Sequence, residues 1–227
     1  MRQAYFITGT DTNVGKTFVT ASLAKGLRAK GHSVGVMKPV ETGCEIKDGR
    51  LIPHDALALK DAAGCLDQLD AINPYRFPPP ISPNIAARLE GVEIDFSKID
   101  AHFRELQRLH DIMFVEGAGG LLVPLTETET IADLVLFLGI PLVIVAASRL
   151  GVLNHTLLTI ESAKMKGIEI KGVILNAPKP QDGDQSVIFH KAELERLTGV
   201  ACLAEIPFTD AKKEAPESIE GLLRAFL

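Results

Sequence analysis

The sequence is poor in the residues on which several kinds of protein depend. It has no tryptophan and 5% aromatic residues over 227 positions. It has no excess of positive charge either, since 24 Lys and Arg against 29 Asp and Glu leave a formal net charge of −5. A nucleic-acid binder usually carries a basic face, so the partners expected are small molecules or another subunit. Three cysteines, Cys44, Cys65 and Cys202, are odd in number and stand in no C-x-x-C or His-paired spacing. That excludes a disulfide framework and a zinc site, and implies a reducing compartment. No apolar run approaches the roughly 20 residues of a membrane span. Arg2 precedes only a handful of apolar residues before Thr8, too few for a signal peptide, so a cytoplasmic protein with no membrane partner is expected. The six histidines are scattered and none is assigned to metal. No linker or internal repeat interrupts the chain, and 46% hydrophobic content suffices for one substantial core. Residues 1–227 are read as one domain.

What is present begins almost at once, with "FITGTDTNVGKTF" at 6–18. Gly9 is followed after five residues by Gly15-Lys16-Thr17, one residue more than the commonest phosphate-cradle spacing. Tyr5, Phe6 and Ile7 form a β-prone run before the loop, and Val19, Leu23 and Leu27 start a helical period after it. In a strand, loop and helix of this kind, backbone N–H groups point inward and the helix dipole adds its positive end, so the loop attracts phosphate. Lys16 then reaches the outer phosphates, and the Thr17 hydroxyl ligates a Mg²⁺ that bridges them.

Further strands are read at 33–40, 111–117, 141–147, 171–176 and 200–206, and helices at about 55–63, 96–109, 131–138, 153–166, 186–197 and 216–226. Residues 74–83 hold five prolines and read as a stiff, extended loop over a site. Strands without period-2 polarity, alternating with helices, imply a sheet buried on both faces. The fold class expected is α/β: a single-domain, P-loop NTPase-like, doubly wound, mostly parallel sheet with helices on both faces. Ligands bind at the carboxyl ends of such strands, which selects 9–17, 38–43, 116–120, 148–154, Asn176 and Pro207.

Within those segments Glu116 ends an apolar strand where a P-loop protein holds Mg²⁺, and the glycines after it let backbone approach a ligand. Asp55, behind Pro53-His54, reads either as a helix N-cap or as an acid of the site. Lys38, just before Pro39, reads either as an exposed edge lysine or as a phosphate cation.

The segments "GTDTNVGKT", "KPVETG", "NPYRF" with "SP" following, "VEGAGGLLVPL", "LGVLNHTLLT", "GVILN" and "EIPF" stand in the order and at the approximate spacing of the dethiobiotin synthetases. The chain resembles that family from residue 4 to about 208. The resemblance implies that CO₂ is joined to 7,8-diaminononanoate with ATP, giving dethiobiotin, ADP and phosphate. The route is a carbamate and a carbamic-phosphoric anhydride, with no protein nucleophile and no Ser-His-Asp arrangement. It implies that Asn13, Val14, Gly15, Lys16, Thr17 and Phe18 hold the phosphates, and that Lys16 and Lys38 are the catalytic cations. Thr17, Asp55 and Glu116 would hold Mg²⁺, and Gly117, Ala118 and Gly119 would meet the nucleotide through backbone. Thr42 would bond the substrate, Asn176 would recognise adenine, and Pro207 would line the base pocket. A homodimer is implied as well, in which Gly151, Val152 and Asn154 of the partner's "GVLN" turn bind the substrate carboxylate, in keeping with anion binding at helix N-termini. Two positions depart from the family: Asn13, where Glu is common, and Asn84, where His is common.

A rival reading is a nucleotide-switched ATPase of the chromosome-partitioning type, acting through partner binding. Such proteins usually carry a second lysine early in the loop, where this chain has Thr10 and Asp11. A corrin-type amidase synthase, or the P-loop part of an acetyl-transfer enzyme, would be expected to continue into a further domain beyond Leu227.

Overall fold

The alternation of apolar and helical runs becomes a layered fold in a computed structural model that describes residues 2–208 and 217–227. In chain order the elements are β1 (Gln3–Gly9), α1 (Lys16–Ala29), β2 (Val34–Met37), β3 (Val40–Thr42), β4 (Glu45–Lys47), β5 (Arg50–Ile52), α2 (His54–Ala63), α3 (Leu69–Ile72), β6 (Tyr75–Phe77), α4 (Pro83–Leu89), α5 (Phe96–Gln107), β7 (Ile112–Gly120), α6 (Ile131–Leu138), β8 (Leu142–Ala147), α7 (Val152–Met165), β9 (Ile170–Asn176), α8 (His190–Thr198), β10 (Cys202–Ile206) and α9 (Glu217–Leu223). Six strands pair in parallel in the order β10-β9-β8-β1-β7-β2. Successive residues of a strand face opposite ways, and here both ways are inward. Phe6, Val115 and Ile144 pack with α4 to α8, while Ile7, Phe114 and Val143 pack with α1, α2 and α9. That is why the strands read as continuous apolar runs. Among the described residues no helix is long and apolar enough to cross a membrane.

The structure corrects several expectations. The strand read at 33–40 is two: β2 ends at Met37, and β3 leaves the main sheet to pair in parallel with β6. Pro39, which has no N–H to donate, stands at the break. Residues 74–83 are not a loop throughout: Tyr75–Phe77 is β6, extended but paired in a two-stranded sheet, and Pro83 opens α4. Pro74 and Pro78 flank β6 and Pro83 takes the first turn of α4, places where proline is tolerated. The polar stretch before α2 holds a β4–β5 hairpin, with Asp48 and Gly49 both at positive φ, a turn pair whose signal was present in the sequence. The strand read at 111–117 runs on to Gly120. The helix read at 186–197 begins as a 3₁₀ turn and becomes α8 only at His190. Pro216, read as the start of the last helix, lies outside the described residues.

A Ser-His-Asp grouping, not expected from the sequence, does form. The Ser33 hydroxyl lies 2.9 Å from His110 Nδ1, and His110 Nε2 lies 2.8 Å from Asp67 Oδ2. It ties together the amino ends of β2 and β7, at the opposite end of the sheet from the glycine-rich loop. Ser33 and His110 are 77 positions apart, so only the parallel register of their strands brings them together.

Candidate active site

The glycine-rich loop leaves β1 at Gly9, in register with Gly120 of β7, and is pinned over β8 by the Thr10 N–H donating to the Val145 carbonyl at 3.0 Å. Left-handed backbone at Asn13 (φ 60°) and Gly15 (φ 91°) turns it back toward α1. Asparagine enters that region more readily than most non-glycine residues, so Asn13 suits its backbone. At Gly15 a Cβ would collide with the Asn176 side-chain nitrogen, which donates to the Val14 carbonyl at 2.8 Å. Asn176, expected to face adenine, thus braces the loop. Lys16 folds back on the Asp11 carbonyl at 3.1 Å. Burial first, and the charge of Lys38 second, push its pKa down to about 8.

Beside the loop sits a compact charge cluster. Lys38 is buried, with Nζ 2.7 Å from Glu116 Oε1, 2.9 Å from Asp55 Oδ2 and 3.4 Å from the Gly117 carbonyl. Burial alone would lower its pKa, but the Glu116 and Asp55 carboxylates outweigh burial and raise it. For Asp55 burial likewise works upward and is outweighed, chiefly by the Lys38 charge, so its carboxyl titrates below the usual range. Lys38 is therefore not an exposed edge residue. Asp55 is not the N-cap of α2, a position held by Pro53. The Thr17 hydroxyl donates to Glu116 Oε1 at 2.7 Å. Glu116 is fully buried, and its Oε2 has no hydrogen-bond partner among the described residues. An unpartnered buried carboxylate oxygen is costly unless a cation or donor meets it, so this donor set fits a hard metal ion. No cluster of three or more His, Cys, Asp or Glu is placed to hold one among the described residues. A metal here would complete its shell with phosphate oxygens and water, as Mg²⁺ commonly does.

A cavity of about 710 Å³ opens onto this cluster, bounded by Asn13, Lys16, Thr17, Thr42, Ala118 and Gly119, with 80–83 of the proline-rich segment on its other side. Phe18 lines both this cavity and a smaller one of about 200 Å³ that reaches Asn176, Pro207 and Phe208. Gly117, expected to meet the nucleotide through backbone, has its carbonyl 3.4 Å from Lys38 Nζ. A Cβ there would lie 2.9 Å from the Phe6 ring, so packing under the sheet also requires a glycine. Gly151, Val152 and Asn154 open α7 and line neither cavity. The Val152 side chain is buried and its N–H is held by the Arg149 carbonyl at 3.0 Å, while Asn154 is exposed.

Two groups of residues escaped sequence reasoning. Asp184 accepts the Leu150 N–H at 2.8 Å, Gln181 donates to the Ser148 carbonyl at 2.6 Å, and His190 lies 3.0 Å from the Ser148 hydroxyl. Together they tie the turn before α7 to the segment after β9, and nothing local in the sequence marks them. The second is Glu41, a buried charged residue of β3 that borders the large cavity and lies within 38–43 but was given no role there. A glutamate between Val40 and Thr42 in a strand beside Lys38 was the signal available for it.

A parallel doubly wound sheet, a glycine-rich loop capping its first helix, and a lysine held between two carboxylates at the next strand ends define a P-loop NTPase. A family model described as an AAA domain matches residues 3–215. Among solved structures, the cell division ATPase MinD of Pyrococcus furiosus superposes with a TM-score of 0.59 at 18% identity, covering 100% of this chain and 98% of that one. A ParA family ATPase of Chlorobium tepidum gives 0.56 at 17%, covering 99% and 90%. These likenesses speak to the fold. An ATP-dependent dethiobiotin synthetase of Thermodesulfovibrio yellowstonii is 42% identical over 222 residues, 94% of this chain and 92% of the relative. That of Methanocaldococcus jannaschii is 38% identical over 223 residues, 96% and 99%. The chain belongs to the ATP-dependent dethiobiotin synthetase family.

Proposed function

We propose that the protein joins CO₂ to 7,8-diaminononanoate at the expense of ATP, forming dethiobiotin, ADP and phosphate. The observation that carries this reading is the buried Lys38 ammonium, held between Glu116 and Asp55 where the large cavity meets the glycine-rich loop. One amine of the substrate takes up CO₂ as a carbamate. A carbamate oxygen attacks the γ-phosphorus, ADP leaves, and the second amine then attacks the carbonyl carbon of the mixed anhydride, closing the urea ring and releasing phosphate. Every bond forms between bound substrates, so the protein's part is to place them and to neutralise charge.

Lys38 faces the carbamate and the transferred phosphoryl group, and Lys16 with the 13–18 backbone holds the outer phosphates. Thr17, Asp55 and Glu116 would hold Mg²⁺, which when bound offsets charge on the phosphate oxygens. Ala118 and Gly119 border the phosphates, Thr42 meets the amine end of the substrate, and Asn176, Phe18 and Pro207 border the base. In a homodimer, the α7 end carrying Gly151 and Asn154 receives the substrate carboxylate of the partner's site. The three free, buried cysteines agree with a cytoplasmic, reducing setting.

The test is phosphate release from ATP with each co-substrate withheld in turn. Release should require the diamine and bicarbonate together, and Lys38→Ala should abolish it. Release that ignores the diamine would instead favour a nucleotide switch of the partitioning type.

A further inference from the structure

We propose that Glu41 is a positioning residue for the metal and phosphate site, acting through Asp55; the proposal rests on the reading of Asp55 as a metal-side carboxylate. The first turn of a helix leaves its N–H groups without intrahelical partners. In α2 the N-cap is Pro53, which offers no side-chain cap. Glu41 supplies one from β3: its Oε1 accepts the Asp55 N–H at 2.9 Å and its Oε2 accepts the Ala56 N–H at 2.9 Å. The carboxylate is 6% exposed, lies at the positive end of the helix, and has both oxygens engaged. Lys38, three residues earlier on the same segment, grips the Asp55 side chain at 2.9 Å. One short stretch of chain therefore holds Asp55 at two points, backbone through Glu41 and carboxylate through Lys38. With the backbone fixed, Asp55 needs little further ordering to meet a cation beside Thr17 and Glu116. Without Glu41, two N–H groups in a mostly buried corner lose their partners and the first turn of α2 frays.

The experiment compares Glu41→Gln and Glu41→Ala with wild type and with Asp55→Asn. Two readouts are independent of turnover: amide hydrogen exchange at Asp55 and Ala56 in the protein alone, and Mn²⁺ binding in the presence of ADP followed by electron paramagnetic resonance. Glu41→Ala should speed exchange at those two amides and weaken Mn²⁺ binding about 10-fold, the usual scale for a residue that orients a metal ligand. The isosteric Glu41→Gln, which retains one accepting oxygen, should fall between it and wild type and covers the case in which the alanine variant does not fold. If Asp55→Asn weakens Mn²⁺ binding while both Glu41 variants leave it at the wild-type value, the positioning role is overturned and the reading of Asp55 stands. If Asp55→Asn leaves it unchanged as well, the metal role of Asp55 fails and the proposal fails with it.

Discussion

Lys16 is an ammonium kept in a place that favours its neutral form. Its pKa of about 8 lies below the ordinary 10.5, through burial and then the nearby Lys38. Between those values the unfolded chain holds a proton that the folded protein has released, so this group's contribution to stability rises with pH across that window, and its penalty is full below pH 8. Bound phosphate would reverse the balance by meeting Lys16 with negative charge. At pH 8.5, where phosphate oxygens are already deprotonated, ADP binding should take up protons, and the uptake should vanish in Lys16→Ala. Calorimetry in buffers of different ionisation enthalpy measures this; a binding enthalpy independent of buffer would show that Lys16 gains no proton when ADP binds. Lys16 and Thr17 could be singled out because the pattern they belong to is one of local spacing. Glu41 was not, because it caps a helix 14 positions away, whereas helix caps are sought next to the helix.

At the scale of elements, the loop and α1 act through two left-handed residues and one brace. Gly15 and Gly31 share φ 91°, but a Cβ at Gly31 would meet nothing within 4 Å, whereas at Gly15 it would run into Asn176. Gly31→Ala should cost about 1 kcal/mol of stability through backbone strain alone and leave ADP affinity unchanged. Gly15→Ala should carry the same strain and also expel Asn176 from the Val14 carbonyl, weakening ADP binding at least about 10-fold, or roughly 1.4 kcal/mol. Chemical denaturation and ADP titration of the pair separate the two effects, and equal ADP affinity in both variants would deny the brace a part in binding. The short helix at 131–138 was readable to the residue from apolar period and flanking signals. The β3–β6 pair was not, because two three-residue strands have almost no period, and prolines argue against strands until an edge position is known.

For the whole molecule, the reading of α7 depends on a second copy of the chain. Leu158 and Met165, seven positions apart and so on one helix face, are 64% and 87% exposed, and Leu150 before them is 81% exposed. Sedimentation at assay concentration should show a dimer. Replacing Asn154 should raise KM for the acid about as much as removing the carboxylate raises it in wild type. An active monomer, or a carboxylate-free diamine used as readily as the acid, would leave this helix end without a part in binding. The sequence by itself determined the class of fold, the place of the glycine-rich loop and the family, because apolar period, glycine spacing and ordered motifs are properties of neighbours along the chain. Only the tertiary structure decided that Lys38 lies between Glu116 and Asp55, that Asn176 holds the loop, that a side chain at Gly117 would meet Phe6, and that Glu41 caps α2. Those are contacts between strand ends and loops far apart in sequence, and burial, which sets their charge states and their need for partners, exists only once the sheet has closed around them.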